Sequence, residues 1–444
     1  MGQMRITKYT CFFVILPALS FASENDCMNR KTVPDTVMDL ASVVELGLCR
    51  NPETASAYYS LQSARFNKNA GYASYLPSVN ADASIGKNYQ NQDWNSSQYG
   101  ASISASYLIF DFGKRLADLN QLSAVWRATG FEYNERVQNY VYGVIGAYYA
   151  LLNADADIES AKISRAVAQT ALDTANKKFK AGVVARADVL KAETTLANRD
   201  LDLERAKNNR EIAKGTLLTK LSFPANQSII IADMPDEFGT PHENESIDKL
   251  IEIARKRRPD LLRAMANKDA AWHRRNSAFL KNLPSISATG SISWNDDDAR
   301  FFATGGNHIS GSIGIRASMP IFAGFANMYG LRSANALYES SSENLRTVGD
   351  NAVLDVFSAY QNYKTAQTVL SQTKTLLKSA TESERVTAGM YRVGRATMLD
   401  WQTAQSELVS AQKQNNAAKY DLFTKRAAVA LAIGDIKSEI EKEQ

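Results

Sequence analysis

The sequence has few of the residues from which catalytic and metal sites are built. Its three histidines, His242, His273 and His308, are scattered, and none has a cysteine or acidic partner at the spacing of metal ligands. It contains no phosphate-binding GxxxxGK loop, no GxSxG nucleophile elbow and no paired catalytic motif. We therefore expect a protein that is not an enzyme and that holds neither a metal nor another cofactor.

The chain also lacks an excess of one charge and a long apolar run. It has 51 basic and 47 acidic residues, a net charge of +4, and no basic stripe interleaved with aromatic residues, which argues against a nucleic-acid partner. The longest apolar stretch has about 12 residues, whereas a helix needs about 20 to cross a bilayer. We expect no membrane helix in the mature chain, although it could enter a membrane as β-strands.

Residues 1–22 have the organisation of a secretory signal peptide. Two basic residues, Arg5 and Lys8, precede a short apolar core at 11–19, and small residues stand three and one before a cut after Ala22. The alternative is an N-terminal membrane anchor, for which the apolar core is short. We predict that the chain is exported.

Removal of the signal peptide leaves two cysteines, Cys27 and Cys49. An oxidising compartment favours their pairing. The bridge would fasten the mature N-terminus to the first helix and would stabilise the fold by about 3 kcal/mol on a chain-entropy estimate. Two separate buried thiols are the alternative.

The rest of the chain is duplicated. Ordered matches join 48–57 to 255–264, Leu76-Pro77-Ser78-Val79 to Leu283-Pro284-Ser285-Ile286, Ile109-Phe110 to Ile321-Phe322, the segment 179–182 to 391–394, and Asp188 to Asp400. We predict a first repeat at 23–222, a linker at 223–245 that is rich in Pro, Asn, Asp and Gly, a second repeat at 246–434, and a charged C-terminal tail at 435–444.

Each repeat contains two segments in which apolar and polar side chains alternate strictly. We predict strands at about 77–90 and 98–110 in the first repeat, and at about 284–294 and 308–321 in the second. The segments have the length that a tilted strand needs to cross a bilayer, and aromatic residues gather at their ends, as in an interfacial girdle. They therefore favour strands that contact outer-membrane lipid, the alternative being a soluble sheet that packs on helices.

Four strands are too few to enclose a lumen. Small barrels need about eight, and an open edge in lipid leaves backbone groups unpaired. If the strands span a membrane, several chains must share one barrel. Two, three or four copies would supply eight, twelve or sixteen strands, and the residues alone do not choose among these numbers.

Long helices connect the strands. Residues 113–180 and 184–221 contain no proline, and apolar positions that step by three and four give an alanine-rich, coiled-coil-like seam. The helices are predicted to reverse at tips of about 180–186 and 392–396. Gly182 and Gly394 would end one helix at each tip, and Asp188 and Asp400 would open the next, where a carboxylate suits the helix dipole.

Together these features resemble the TolC family of outer-membrane efflux and secretion channels. The resemblance runs from about Leu40 to Ile433, and it is carried by Asn51-Pro52, the two Leu-Pro pairs, Ile-Phe-Asp-Phe-Gly at 109–113, Pro-Ile-Phe-Ala-Gly at 320–324 and the two glycine-containing tips. It implies a mixed α and β membrane protein. Four transmembrane strands per chain would join a shared 12-stranded barrel of a homotrimer, continued through the periplasm by a long α-helical coiled-coil tunnel.

The resemblance implies partners as well as an architecture. A periplasmic adaptor and an inner-membrane pump, either an ABC exporter or an efflux pump, would deliver substrates and supply the energy. The trimer in the outer membrane would only conduct them to the cell exterior.

The resemblance also implies a lock at the inner tip of the tunnel. Asp188 and Tyr391 match a pair that helps to hold the tip closed. Ala396 stands where a locking arginine is expected, with Arg395 one residue earlier. The lock is therefore expected to be rearranged in this chain.

Two aspartate rings narrow the entrance in that family. Asp400 matches the first ring, and Thr403 stands where the second would be, so the second ring is missing. A single ring of three Asp400 carboxylates would still favour cations in a narrow throat.

The residues around the two cysteines resemble a narrower subgroup of the family. Cys27 and the segment Leu48-Cys49-Arg50-Asn51-Pro52 are similar to the subgroup that includes the outer-membrane partner of adenylate cyclase-haemolysin export. The similarity favours type I protein secretion, with a toxin as cargo, over a role in multidrug efflux. A structural coiled-coil surface protein is the alternative from another class.

Overall fold

The computed structural model describes residues 32–34, 36–90, 93–232, 246–297 and 307–440. The predicted signal peptide at 1–22 and Cys27 lie outside these ranges. Cys49 takes part in a disulfide, and its pairing with Cys27 stays a prediction.

The elements alternate between pairs of strands and long helices. In chain order they are α1 (Leu40–Arg50), α2 (Pro52–Gly71), β1 (Ser78–Gln90), β2 (Asp93–Phe110), α3 (Lys114–Lys180), α4 (Arg186–Lys220), α5 (Ile247–Arg257), α6 (Pro259–Leu280), β3 (Ser285–Asp297), β4 (Asn307–Ser318), α7 (Ala326–Arg392), α8 (Met398–Ala432) and α9 (Lys437–Ile440). A single 3₁₀ turn at Tyr72–Tyr75 leads from α2 towards β1.

The strands form one antiparallel sheet in the order β1-β2-β3-β4. One face carries serines that share hydrogen bonds across neighbouring strands, at 2.8 Å between Ser78 and Ser106 and 3.0 Å between Ser291 and Ser312. The other face is apolar and exposed, and Ile313 on β4 is 94% exposed. Among the described residues, β1 and β4 each have one edge without a partner strand. One chain therefore leaves an apolar surface and two open edges.

Three strand bounds differ from the predicted ones by more than one residue. β2 begins at Asp93 rather than 98, and β3 continues to Asp297 rather than 294, where it pairs with Gln98. β4 ends at Ser318 rather than 321. Pro320 explains the earlier end, because proline has no N–H to donate to the ladder.

Two helical hairpins extend away from the sheet. The longer arms, α3 and α7, have 67 residues each, and the shorter arms, α4 and α8, have 35 each. At about 1.5 Å per residue, the longer arms are about 100 Å long. Ala161, Ala168 and Ala175 are buried at seven-residue steps along α3, and small side chains let helices pack closely. Within the described ranges, no helix combines the length and the apolar character that a bilayer span requires.

Two segments predicted as a linker and a tail are packed against the helices. In the described part of 223–245, Phe223 and Ile229 are buried in the largest apolar core, beside α1, α3 and α4. In the described part of 435–444, Ile436 is buried in the same core. Apolar side chains therefore anchor both segments to the helices of this core.

A buried ion pair joins β2 to α3. The Asp111 carboxylate accepts from the Arg115 backbone N–H at 2.8 Å and from Arg115 Nε at 3.2 Å. The same guanidinium donates to the carbonyl oxygens of Leu108 at 2.7 Å and Ser74 at 3.2 Å, and it lies 4.8 Å from the ring centre of Tyr75. We call Asp111 and Arg115 the strand–helix joint, because their contacts hold the start of α3 against the end of β2.

Candidate functional site

Both hairpins reverse at a glycine with positive φ. Gly182 has φ +70 and Gly394 has φ +78, a conformation that only glycine adopts freely. In the first turn, the N–H of Val183 donates to the carbonyl of Lys178 at 2.9 Å; in the second, the N–H of Arg395 donates to the carbonyl of Met390 at 2.8 Å. These bonds satisfy the last carbonyls of α3 and α7. The structure thus places Gly182 and Gly394 in the tip turns.

Asp400 is exposed in the first turn of α8, where it closes a capping box. Its carboxylate accepts from the Thr397 N–H at 2.8 Å and from the Thr397 hydroxyl at 2.7 Å, and Thr397 Oγ1 in turn accepts from the Asp400 N–H at 3.2 Å. The hydrogen bonds from Thr397 hold the pKa of the Asp400 carboxyl below its usual value. The carboxylate is therefore fixed in direction and stays charged.

Asp188 has the position in the first turn of α4 that Asp400 has in α8, but the residue before the helix is different. The residue before α4 is Ala185, which has no hydroxyl, and no capping box forms there. Within the described part of the chain, the Asp188 carboxylate makes no hydrogen bond. It lies close enough to Tyr391 for its negative charge to raise the pKa of that phenol, after the larger effect of burial. The structure thus brings together two of the three residues predicted for the lock.

Tyr391 is the centre of the packing between the hairpins. Its side chain is 2% exposed, and its hydroxyl has no hydrogen-bond partner among the described residues. The ring lies 5.2 Å from that of Trp401, which is 1% exposed. The indole N–H of Trp401 donates to Glu384 Oε1 at 2.8 Å, so the second hairpin holds its own aromatic pair in place.

Arg395 and Thr403 are exposed and lie outside the buried cluster around Tyr391 and Trp401. The Arg395 side chain is exposed and makes no hydrogen bond or ion pair with the described residues. Thr403 lies one helical turn after Asp400, and its hydroxyl donates to the carbonyl of Leu399 at 3.0 Å. Thr403 therefore adds no charge beside Asp400, and Arg395 is not joined to Asp188 or Tyr391 within one chain.

The sequence did not point to the residue of the first hairpin that touches Tyr391 most directly. The Lys178 ammonium donates to the Tyr391 carbonyl oxygen and lies 4.1 Å from the centre of its ring. In sequence, Lys178 is one of three lysines in the last turn of α3, where cations are expected to suit the helix dipole. The usable signal was Trp401, a large aromatic residue directly after Asp400 in an alanine-rich helix.

Three further hydrogen bonds join the hairpins near the tip. Gln402 Nε2 donates to the carbonyl of Lys191 at 2.9 Å and to the hydroxyl of Thr195 at 2.6 Å. Arg199 donates to the hydroxyl of Ser406 at 3.3 Å. α4 and α8 are therefore linked side by side over about two turns.

No arrangement for metal binding occurs in the part of the chain that the structure describes, because no three His, Cys, Asp or Glu residues are grouped to hold an ion. The candidate site is the tip of the two hairpins rather than a pocket for a ligand. Its chemistry is an exposed carboxylate, a buried aromatic pair and a cation between the two hairpins.

Comparisons with known proteins agree in both sequence and fold. The model of the family described as outer membrane efflux protein matches residues 43–221 and 250–435. The chain is 23% identical over 412 residues to Protein CyaE of Bordetella pertussis, which covers 90% of this chain and 85% of that protein. It is 24% identical over 420 residues to Outer membrane protein TolC of Escherichia coli, covering 90% and 83%.

The fold matches a solved outer-membrane channel. The crystal structure of the Campylobacter jejuni CmeC outer membrane channel aligns with a TM-score of 0.75 at 20% identity, and the alignment covers 91% of this chain and 89% of that one. At this identity the likeness shows the fold.

Proposed function

Because the chain belongs to the outer membrane efflux protein family, we propose that three copies of it form an outer-membrane channel-tunnel. This tunnel conducts substrates from an inner-membrane exporter and a periplasmic adaptor to the cell exterior. Family membership makes the chain a transport channel of the outer membrane and not an enzyme, and it confirms the resemblance to the TolC family.

The sheet carries the proposal. Its exposed apolar face and its two open edges are unfavourable in water and, as a lone sheet, in lipid, where each unpaired backbone group costs several kcal/mol. Three such sheets joined edge to edge would pair every strand and form a twelve-stranded barrel with a lumen. The serine face would then line the lumen, and the hairpins would continue it into the periplasm.

A pair of arginine substitutions on β4 tests which face meets lipid. We expect Ile313→Arg to abolish channel formation, because a lipid-facing arginine costs about 2–4 kcal/mol per chain near the bilayer midplane and three copies add this cost. Ser312→Arg, on the opposite face, is the matched control, and it should still form channels with altered ion selectivity. The measurement is current across planar bilayers after reconstitution of the full chain.

The mass of the detergent-solubilised protein completes this test. Light scattering should give three chains per particle for the wild-type protein. Recovery as a monomer that needs no detergent and passes no current would overturn the proposal and would favour the structural coiled-coil protein.

For the cargo, we propose type I protein secretion. The support is the arrangement of Cys27 and Leu48–Pro52, which resembles that of the secretion subgroup, together with the similarity to CyaE along 90% of the chain. Multidrug efflux is the second candidate, since the family description names efflux. Deletion of the gene should abolish export of a protein toxin without changing drug susceptibility; the reverse result would assign drug efflux.

We propose that three Asp400 side chains form the single charged ring at the entrance and that Asp188, Tyr391 and Arg395 contribute to the lock. The capping box supports the first assignment, because it fixes an exposed carboxylate at the end of the tunnel. The charge of Asp188 beside the Tyr391 hydroxyl supports the second.

The double variant Tyr391→Phe with Arg395→Ser tests the lock. We expect a higher single-channel conductance, since the variant removes the buried hydroxyl whose pKa the Asp188 charge helps to raise and the exposed cation Arg395 of the tip turn. Planar-bilayer recording at fixed salt measures the effect, and each single substitution is recorded beside it. A conductance equal to that of the wild-type channel would reject the lock.

A further inference from the structure

We propose that Lys178 clasps the second hairpin to the first and thereby positions the tip in its narrow state. The clasp consists of Lys178 from α3, Tyr391 from α7, and Trp401 and Glu384, which hold Tyr391 in place. It adds residues outside the lock proposed above, and it rests on the proposed channel function.

Lys178 contacts Tyr391 in two ways at once. Its ammonium donates to the carbonyl oxygen of Tyr391 and stands 4.1 Å from the ring centre. The carbonyl belongs to the last turn of α7, where the helix dipole is negative and favours a cation. The aromatic face attracts the same cation. A single side chain of the first hairpin therefore binds both the backbone and the side chain of the second.

The second hairpin supplies a rigid partner for this cation. The Tyr391 ring packs at 5.2 Å from the Trp401 ring, and the Trp401 indole is tied to Glu384 at 2.8 Å. Both rings are buried, so neither can turn away without opening a cavity. When the hairpins separate, the Lys178 contacts must break as a unit.

Lys178 differs from the other lysines in the last turn of α3, because only Lys178 among them contacts the second hairpin through its ammonium. Lys177 and Lys180, in the same turn of α3, are exposed and have no side-chain hydrogen bond or ion pair with the described residues. The duplication does not repeat the arrangement either. Met390 and Phe179 stand at the positions that correspond to Lys178 and Tyr391, each 212 residues away, and both are exposed. Among the described residues, this contact therefore occurs once, with the lysine on the first hairpin and the tyrosine on the second.

The clasp and the proposed lock depend on different atoms. Tyr391→Phe removes the hydroxyl but keeps the ring and the carbonyl that Lys178 uses. Lys178→Met keeps most of the apolar stem and removes the ammonium. Comparison of these two variants separates the contributions.

The experiment compares Lys178→Met, Lys178→Arg and the control Lys177→Met in planar bilayers. We expect Lys178→Met to raise the occupancy of the wider conductance state about tenfold, the order of effect for loss of a charged hydrogen bond together with a cation–π contact. Lys178→Arg should restore the wild-type occupancy, because a guanidinium can make both contacts. Lys177→Met should behave as wild type.

Amide hydrogen exchange supplies a readout that needs no current. In detergent-solubilised protein, Lys178→Met should speed exchange in residues 388–397, whereas Lys177→Met should leave it unchanged. Unchanged exchange and unchanged occupancy in Lys178→Met would overturn the clasp. If the wild-type protein passes no current while exchange responds to Lys178→Met, the clasp stands and the channel function fails.

Discussion

Replacement of Asp400 by asparagine is expected to raise at least tenfold the concentration of a trivalent cation that halves the current through the open channel. In the proposed trimer, three exposed carboxylates converge on the entrance. A trivalent cation gains roughly 1 kcal/mol or more from each carboxylate at a few ångströms even in water. Loss of all three attractions exceeds the 1.4 kcal/mol or so that a tenfold change requires.

The choice of asparagine follows from the capping box. The Asp400 carboxylate accepts two hydrogen bonds from Thr397, so alanine would remove both the charge and the cap. Asparagine removes the charge and keeps an acceptor oxygen. Asp421→Asn is the control, because Asp421 is exposed on the same helix but about 30 Å from the tip at about 1.5 Å per residue. Equal effects of the two asparagine variants would refute the assignment of Asp400 to the entrance.

Block of the current by the trivalent cation should also depend on pH, because Thr397 sets the pKa of Asp400. The folded-state pKa of Asp400 lies below its usual 3.8, so the folded protein keeps the charge until pH falls through that lower folded value. Any stability that the charge adds is fully present above the unfolded value and is lost as pH falls through the folded value. In Thr397→Val the hydroxyl donor is gone, and the pKa of Asp400 moves upward. As the pH is lowered, cation block should therefore disappear at a higher pH in Thr397→Val than in the wild-type channel.

Within the strand–helix joint, Arg115 should make the largest contribution to stability that we can assign to one side chain. Arg115→Ala is expected to lower the free energy of unfolding by about 3 kcal/mol, because it leaves the buried Asp111 carboxylate without its charge partner. The exposed fractions of the two side chains are 11% and 9%. The loss also strips the carbonyls of Leu108 and Ser74 of a donor. Urea unfolding of the detergent-solubilised protein, followed by circular dichroism, measures the difference.

An exposed ion pair on the same helix provides the control. Arg127 pairs with Asp269 on α6, and both side chains are 40% exposed, so Arg127→Ala should cost less than about 1 kcal/mol. Asp111→Ala combined with Arg115→Ala should cost less than Arg115→Ala alone, since no buried charge is left unpaired. Equal losses for Arg115→Ala and Arg127→Ala would show that the joint is no stronger than a surface pair.

The sequence predicted the family and most of the elements correctly. All four alternating segments are strands of one sheet, because strict alternation over about ten residues has the period of a strand and not that of a helix. The reversals at Gly182 and Gly394 were also predictable, since the glycines adopt the positive φ that ends a helix. Pro320 carried the information that β4 ends early, although the apolar residues around it suggested a longer strand.

Contacts between distant segments were not predictable from local patterns. Phe223 and Ile229 lie in a stretch whose composition is that of a linker, and only the packing of α1, α3 and α4 makes them core residues. Lys178 is a cation at a helix C-terminus, a common arrangement with a local cause, and Arg115 lies in the first turn of α3, where the helix dipole gives no local reason for a cation. The partners of these two cations include a tyrosine 213 residues away and the carbonyls of Ser74 in the 3₁₀ turn and Leu108 in β2, which no single-segment pattern encodes.

The two open edges of the sheet have a genetic consequence. In the proposed ring of three, each copy pairs its β1 with one neighbour and its β4 with the other, so one defective edge disrupts one of the three strand pairings between chains. If a strain makes equal amounts of a normal and an edge-defective chain that mix freely, about one ring in eight contains only normal copies. A missense allele confined to β4 would therefore be dominant over the normal gene, whereas a null allele would be recessive.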